Sequence, residues 1–497
     1  MSIAKRTVRG VIWAYTVFFS SRLLSMLSTA ILARLLFAAD FGLVGYALLL
    51  LNFVEATRDF GIKDALIYTS DRVEDTADTA FMMNVAVGLV QYGVTFLLAP
   101  LATNFIDDPR MVPMLRVMAL TFLFNAFGNT HDALLQKELE FRKRYLPDVF
   151  SALIKGAVSI VMALNGYGVW SLVTGHVVGS VVRMVGKWVL QPWRPRFVLY
   201  TDRARVLWDY GVYILLFSIL DIALEQADQL FIGTLLGEVQ LGFYTIAARI
   251  PEMILVNFSL VLTRVLFPAY AKLKDDIGRL TRGFLMTTKY TALVTVPIGF
   301  GLVAVAPEMI RVVFGSQWMP AVMLTQVLAL LGMLATLPWS AGDVFKALGR
   351  PDISTKLLVI EALYTFPLIA VLATGSRLAV MASLANVIAM LITTVLRLGL
   401  AARFLKFSPL AYFYIFRTAF FGGGLMFAVV ILWRRLFAEW SDLLLLTTSI
   451  LVGASVYGGV VWLLERDAVR EALSAVFQAL NPRTAGDVPD VPEPVEV

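Results

Sequence analysis

Apolar runs of 18 or more residues follow one another along nearly the whole chain, separated by short polar loops. Each run is long enough to cross a ~30 Å hydrocarbon layer as a helix. The runs are continuous rather than alternating, which favours helices over the strands of a barrel. About fourteen spans are predicted, near 10–33, 41–62, 79–101, 111–132, 147–165, 169–190, 209–235, 241–264, 287–306, 320–341, 355–374, 376–401, 413–435 and 441–464. The first run, Val11 to Leu32, is too long for a signal-peptide core and contains Arg22, so it reads as a retained helix.

One part of the pattern repeats. Ala33-Arg-Leu-Leu-Phe-Ala-Ala-Asp-Phe-Gly-Leu-Val-Gly-Tyr46 returns 200 positions later as Gly233-Thr-Leu-Leu-Gly-Glu-Val-Gln-Leu-Gly-Phe-Tyr244. Leu35 and Leu36 meet Leu235 and Leu236, Gly42 meets Gly242, and Ala47 meets Ala247. The repeat predicts two related six-helix lobes, 1–200 and 201–407, around a central cavity. Accessory spans 13 and 14 follow over 408–465. A membrane protein built of two related halves commonly carries its substrate between them. Beyond residue 465, Val469, Leu473, Val476, Phe477 and Leu480 share a helical face, which predicts a short amphipathic helix on the membrane surface. The Pro-rich acidic end of the 466–497 segment is expected to be disordered.

The loops alternate in charge. Lys5/Arg6/Arg9, Lys137/Arg142/Lys143/Arg144, Arg194/Arg196/Arg203/Arg205, Lys272/Lys274/Arg279/Arg282 and Lys346/Arg350/Lys356 fall on one side. The loops on the other side, such as 165–169 and 237–240, are short and nearly free of Lys and Arg. The positive-inside rule makes the basic side cytoplasmic, and an even number of spans places both termini there. Trp433-Arg434-Arg435 lies on the opposite side and breaks the rule.

Composition agrees with a polytopic membrane protein. The 497 residues are 59% hydrophobic and 16% charged, with a mean hydropathy of +0.77, which excludes a soluble globular domain. The net charge of +6 reflects the basic loops rather than a nucleic-acid partner. The absence of cysteine excludes disulfides and thiolate sites. With two histidines in all, a His-rich metal site or an HExxH helix is excluded. Gly186-Lys187 is followed by Trp188 and lacks the upstream glycine of a P-loop. No nucleophile elbow is present, and the outer loops are too short for an extramembrane catalytic domain, so the chain is not read as an enzyme.

Function is therefore sought in ionisable residues inside the apolar runs, which are costly there unless they face a cavity or a partner. Arg22 lies mid-span, beside a stripe of Ser21, Ser25 and Ser28. At the repeat offset, span 7 carries Asp221, Glu225 and Asp228 at spacings of four and three, on one helical face. One reading is a wet chamber in which Arg22 meets an anionic substrate and the acids bind coupling cations. The other is a buried ion pair of Arg22 with Asp221 or Glu225. Span 6 carries His176, Ser180, Arg183 and Lys187 on one face. Arg183 and Lys187 either attract substrate at the cytoplasmic mouth or snorkel to headgroups. Gly175 and Gly179 read as a packing face. Span 2 aligns Asn52, Glu55 and Asp59, with Arg58 to the side, and isolated polar positions include Asn125, Asn129, Asp132, Lys155, Arg249 and Glu361. Arg249 precedes Pro251, where a kink would serve a gate.

Six phrases then coincide in order: Ala33-Arg-Leu-Leu with Asp40-Phe-Gly42, Leu134-Leu-Gln-Lys-Glu-Leu-Glu-Phe-Arg142, Asp228-Gln-Leu-Phe-Ile-Gly233, Phe267-Pro-Ala-Tyr-Ala-Lys-Leu273, Phe314-Gly-Ser-Gln-Trp318 and Ala347-Leu-Gly-Arg-Pro-Asp352. Over about residues 1–410 the chain resembles the polysaccharide transporter family of the multidrug/oligosaccharidyl-lipid/polysaccharide superfamily. It is most similar to the Wzx-like flippases of lipopolysaccharide and colanic-acid export. The resemblance implies an all-α bacterial inner-membrane protein of twelve to fourteen helices that moves a polyprenyl-diphosphate-linked oligosaccharide to the periplasmic leaflet. Its partners would be that lipid-linked saccharide, membrane lipids and polymerase or assembly proteins, with no nucleic acid. No cofactor is implied beyond a coupling proton or sodium ion. Arg22, Ser25, Arg183, Lys187 and Arg249 are the expected substrate residues, and Asp221, Glu225 and Asp228 the expected cation-coupling residues. The rivals are a cation-coupled drug exporter and a lipid II flippase of the same superfamily.

Overall fold

The computed structural model describes residues 20–57, 62–68, 72–104, 106, 108–138, 140–198, 200, 220–256, 258, 266–267, 269–376, 378–466 and 470. The first half of span 1, Arg58 and Asp59, the 201–219 connection with the start of span 7, most of the expected amphipathic helix and the acidic end lie outside the described residues.

Among the described residues the regular elements are all helical. Twelve helices among the described residues are long and apolar enough to cross a bilayer. They correspond to spans 2–6 and 8–14. Span 1 is described as a helix over 20–35, and span 7 over 220–236. Several helices outrun their apolar cores. Span 9 was expected over 287–306 and runs from Ile277 to Val313, because Asp276 caps its polar first turn by accepting the Arg279 N–H at 2.9 Å. Span 2 starts early, at Ala38, and ends at Ala56; a separate short helix, Ile62–Tyr68, follows.

Two helices depart from regular geometry where charges cluster. Span 7 breaks at Gln226, a turn between the helical 220–225 segment and Ala227–Leu236. Span 8 runs as an α-helix from Glu238 to Pro251 and continues as a π-helix over Glu252–Val256. Pro251 has no N–H to give the ladder, and a π turn absorbs the mismatch.

Spans 3–6 pack chiefly against one another with span 2 on their edge, and spans 7–12 form a second group, against whose span 8 span 2 makes its most extensive contact. Hereafter these are the N-terminal and C-terminal bundles. Spans 13 (Leu410–Leu436) and 14 (Asp442–Leu464) pack on span 9. The two bundles meet mainly through spans 2 and 8. At the end holding loops 99–111, 165–169, 237 and 315–321, two apolar clusters run across both bundles. One joins Leu43, Tyr46 and Met114 to Leu241, Tyr244 and Ile369. The other joins Leu32, Ala33 and Phe41 to Ile246, Ile310 and Trp318. Trp318 Nε1 donates to the Ala33 carbonyl at 2.8 Å, and Arg34 Nη2 to that of Val312 at 2.6 Å. At the opposite end the clusters are separate. Ile62, Leu66, Ala77 and Leu134 belong to the N-terminal bundle alone. Tyr270, Phe284, Phe345 and Leu405 belong to the C-terminal bundle alone. The molecule thus has a joined end and a split end.

Arg434, the residue that broke the charge rule, is half-hidden at the joined end. Its guanidinium pairs with Glu308 at 2.7 Å and donates to the Ala304 carbonyl, both on span 9. Arg311 pairs with Asp442 at 2.8 Å beside it. At the split end Lys289 pairs with Glu465 at 2.6 Å. Ion pairs therefore hold spans 13 and 14 to span 9 at both membrane faces, and Arg434 sits opposite the basic loops as half of a pair.

Candidate functional site

Three of the expected substrate residues converge. Arg22 and Ser25 of span 1 and Arg249 of span 8 line one pocket, with Glu252 as the carboxylate and Met26, Met253 and Phe314 as its apolar wall. The local cause is the proline. Arg249 lies in the last turn of the α-helix and Glu252 opens the π segment, three residues apart on one face. The pocket lies where spans 1, 8 and 9 meet, between a helix preceding the N-terminal bundle and two helices of the C-terminal one.

A larger cavity of about 250 Å³ lies inside the N-terminal bundle. Span 2 gives it Asn52 and Glu55, span 4 Asn125, span 5 Lys155, and span 6 His176 and Arg183. Glycines make this chamber possible. A Cβ on Gly175 would lie 2.9 Å from the Lys155 carbonyl, and one on Gly179 would lie 3.2 Å from the Lys155 Cβ. The predicted packing face thus lets Lys155 reach inward. Its Nζ stands 3.4 Å from His176 Nδ1. Arg183 lines the same chamber while paired with Asp148 at 3.0 Å. Lys155 is also within electrostatic reach of Arg249, which relates the chamber to the first pocket.

Lys187 goes elsewhere. Its Nζ pairs with Asp132 at 3.1 Å. Asp132 also holds Lys63 at 2.8 Å and Arg144 at 3.3 Å. One carboxylate thus pins the short helix after span 2 to spans 4, 5 and 6. A partly buried charge is retained when paired, and Lys187 is part of a brace rather than of the chamber lining.

The span 7 acids separate. Asp228 is 2% exposed and accepts from the Tyr244 hydroxyl and from the Gln229 N–H at 2.8 Å. Asp221 and Glu225, before the break at Gln226, are exposed. Glu225 lies within electrostatic reach of Asp221, Asp228 and Glu252. On the neighbouring helices Glu361 pairs with Arg397 at 3.0 Å, and Arg397 is also felt by Asp221. Among the described residues no group of three His, Asp or Glu has the geometry of a metal site. Sequence reasoning passed over Glu252, although its position directly after Pro251 was a visible signal. It named Lys155 only as one of several isolated charges. What it lacked was the 250 Å³ of space around that side chain.

The fold defines the class. The chain superposes on the lipid II flippase MurJ in an inward closed conformation with a TM-score of 0.73 at 14% identity, covering 92% of this chain and all of that one. It is an all-α polytopic membrane protein of that architecture. The polysaccharide biosynthesis protein family model matches residues 31–323, and the chain belongs to this family. It is 28% identical to the teichuronic acid biosynthesis protein TuaB of Bacillus subtilis, over 76% of this chain and 79% of that protein. It is 26% identical to the lipopolysaccharide biosynthesis protein WzxC of Escherichia coli, over 75% of this chain and 76% of that one.

Proposed function

We propose that this protein is a flippase for a polyprenyl-diphosphate-linked oligosaccharide used in surface polysaccharide synthesis. Its family and its relatives in teichuronic acid and lipopolysaccharide synthesis support that class. The observation that carries the reading is the meeting of Arg22 and Arg249 beside Met26, Met253 and Phe314. Two guanidiniums suit a diphosphate. An apolar wall at the seam of spans 1 and 8 suits the lipid that follows it, while the saccharide occupies the wet space toward the N-terminal chamber.

The basic loops 137–144, 272–282 and 346–356 lie at the split end, so that end faces the cytoplasm of a bacterial inner membrane and the termini lie on that side. The structure is then a cytoplasm-facing state. Rocking of the two bundles separates the joined end and closes the split one. The exposed pair Asp221 and Glu225 takes the coupling cation, a proton or sodium, and resets the cycle.

The test is lipid extraction and mass spectrometry on a host lacking this gene and any redundant flippase. Polyprenyl-diphosphate oligosaccharide accumulates, surface polymer is lost, and the intact gene restores it while Arg22→Ala does not. Unchanged lipid intermediates overturn the reading. The exposed acids Asp221 and Glu225 favour one alternative, a drug or cation exporter, which resistance to cationic dyes on expression would support.

A further inference from the structure

The N-terminal chamber holds an arrangement that cargo binding alone does not require. Lys155 Nζ and His176 Nδ1 stand 3.4 Å apart, on adjacent faces of spans 5 and 6. Among the described residues no carboxylate comes within ion-pair distance of Lys155. An ammonium can donate to a neutral imidazole nitrogen at this distance. An ammonium and an imidazolium repel there, the more so in a poorly solvated chamber. The contact itself therefore fits a pair that holds one proton.

The surrounding charges set what would add a second. Span 6 contributes Arg183, whose charge is shared with Asp148 of span 5. Span 2 contributes Glu55, which accepts from Asn125 Nδ2 of span 4 at 3.5 Å. From span 8, Arg249 adds positive potential. Arg183 and Arg249 are matched in number by Asp148 and Glu55, but the charges that act on His176 itself are the cations Lys155 and Arg183. An oxyanion entering the 250 Å³ beside Lys155 would reverse that balance.

We propose that Lys155 and His176 share one proton at rest and that an oxyanion of the cargo draws a second proton onto His176, so that cargo binding is linked to proton uptake. The proton enters from the water of the chamber and leaves to water when the oxyanion departs. This rests on the flippase reading only for the source of the oxyanion, a sugar carboxylate or a phosphate. It places a proton-linked site in the N-terminal bundle, apart from the exposed acids of span 7.

The experiment is calorimetry on the full-length protein in lipid nanodiscs, in buffers of different ionisation enthalpy, so that bound protons are counted directly. The probes are glucuronate for a carboxylate and inorganic sulfate for a phosphate-like group; neither titrates near neutral pH. Wild type is expected to bind one of them with uptake of up to one proton, its affinity falling by up to about tenfold per pH unit where the linkage is complete. His176→Gln keeps a polar side chain beside Lys155; it is expected to bind the same probe with no uptake, and Lys155→Met to lose the binding. Binding without uptake in wild type, uptake that persists in His176→Gln, or binding of neither probe overturns the proposal. Glu439→Gln, exposed in the loop between spans 13 and 14, serves as a control and should leave the proton count unchanged. The count is independent of flipping, so unchanged lipids in the deletion host would overturn the flippase reading and leave this linkage standing.

Discussion

Gly42 and Gly242 seal the joined end reciprocally. A Cβ on Gly42 would fall 1.7 Å from the carbonyl oxygen of Glu238, and one on Gly242 would fall 1.9 Å from that of Ala38. Each glycine touches the first residue of the other's helix, four positions before the other glycine. Helix backbones approach this closely only where no side chain intervenes. The two glycines stand at the same place in the two copies of the repeated phrase.

Any larger residue at either position should wedge the joined end apart. Gly42→Val or Gly242→Val is expected to abolish restoration of the surface polymer and to shift the population away from the structure described here. The chain has no native cysteine, so crosslinking can read this directly. A Cβ on Gly45 lies 2.8 Å from Thr245 Oγ1. Gly45→Cys/Thr245→Cys should therefore crosslink on oxidation and stop transport until reduced, and Gly42→Val in that background should cut the crosslinking yield severalfold. An unchanged yield would show that the glycines do not set the closure.

Asp228 and its neighbours on span 7 should fail differently. Tyr244→Phe and Asp228→Asn remove a buried hydrogen bond to an acid and are expected to lower stability by about 1.5–3 kcal/mol each. Their double mutant should cost less than the sum, because the two groups touch. Asp221→Asn and Glu225→Gln, both exposed, should leave the melting temperature within a few degrees and change transport instead. Melting curves and complementation on the same four variants separate the two roles.

Glu308→Leu leaves Arg434 without its carboxylate in a half-buried place and is expected to cost about 3–5 kcal/mol. Glu308→Leu/Arg434→Leu should recover most of that loss, since an apolar pair replaces an ion pair near lipid. A double-mutant cycle on thermal unfolding in detergent measures it.

Glu465 gives a pH signature outside the membrane. Burial pushes its pKa up, but hydrogen bonds from Lys289 and Thr418 outweigh that push and hold it below its ordinary 4.5. A carboxylate with a lowered folded pKa stabilises the fold above its unfolded value and loses that contribution as the pH falls through the folded one. The stability gap between wild type and Glu465→Gln should therefore be full at pH 6 and above and shrink progressively below about pH 4.5. A gap independent of pH would mean that the pair does not hold span 14.

Much of this was readable from the chain because hydrocarbon imposes a simple rule on it. Continuous apolar runs gave spans 2–6 and 8–14, and the cost of a buried charge singled out Arg22, with Ser25 in the stripe beside it, and Arg249, which do converge. Spacing, however, tells which face a residue occupies and not what stands opposite. Lys187 lies on the same predicted stripe as Arg183, yet Asp132 on span 4 captures it. The break at Gln226 left no mark in hydropathy, so Asp228 was grouped with acids from which the turn separates it. The chamber around Lys155 depends on glycine clearances between two helices, which no single helix's pattern records.

Spans 7 and 8 are joined by a single residue, Gly237, whose φ of +84° turns the chain back at once. Spans 1 and 2 are joined almost as tightly, through residues 36 and 37. Neither hairpin has slack at its tip, so in the second the stretches Ala227–Leu236 and Glu238–Pro251 swing together as one stiff unit up to the break at Gln226 and the π segment. A shift at the glycine contact is then carried along that unit to the pocket that holds Arg249 and Glu252. That geometry makes the seal all-or-none, and lets a contact the size of two residues govern a passage wide enough for an oligosaccharide.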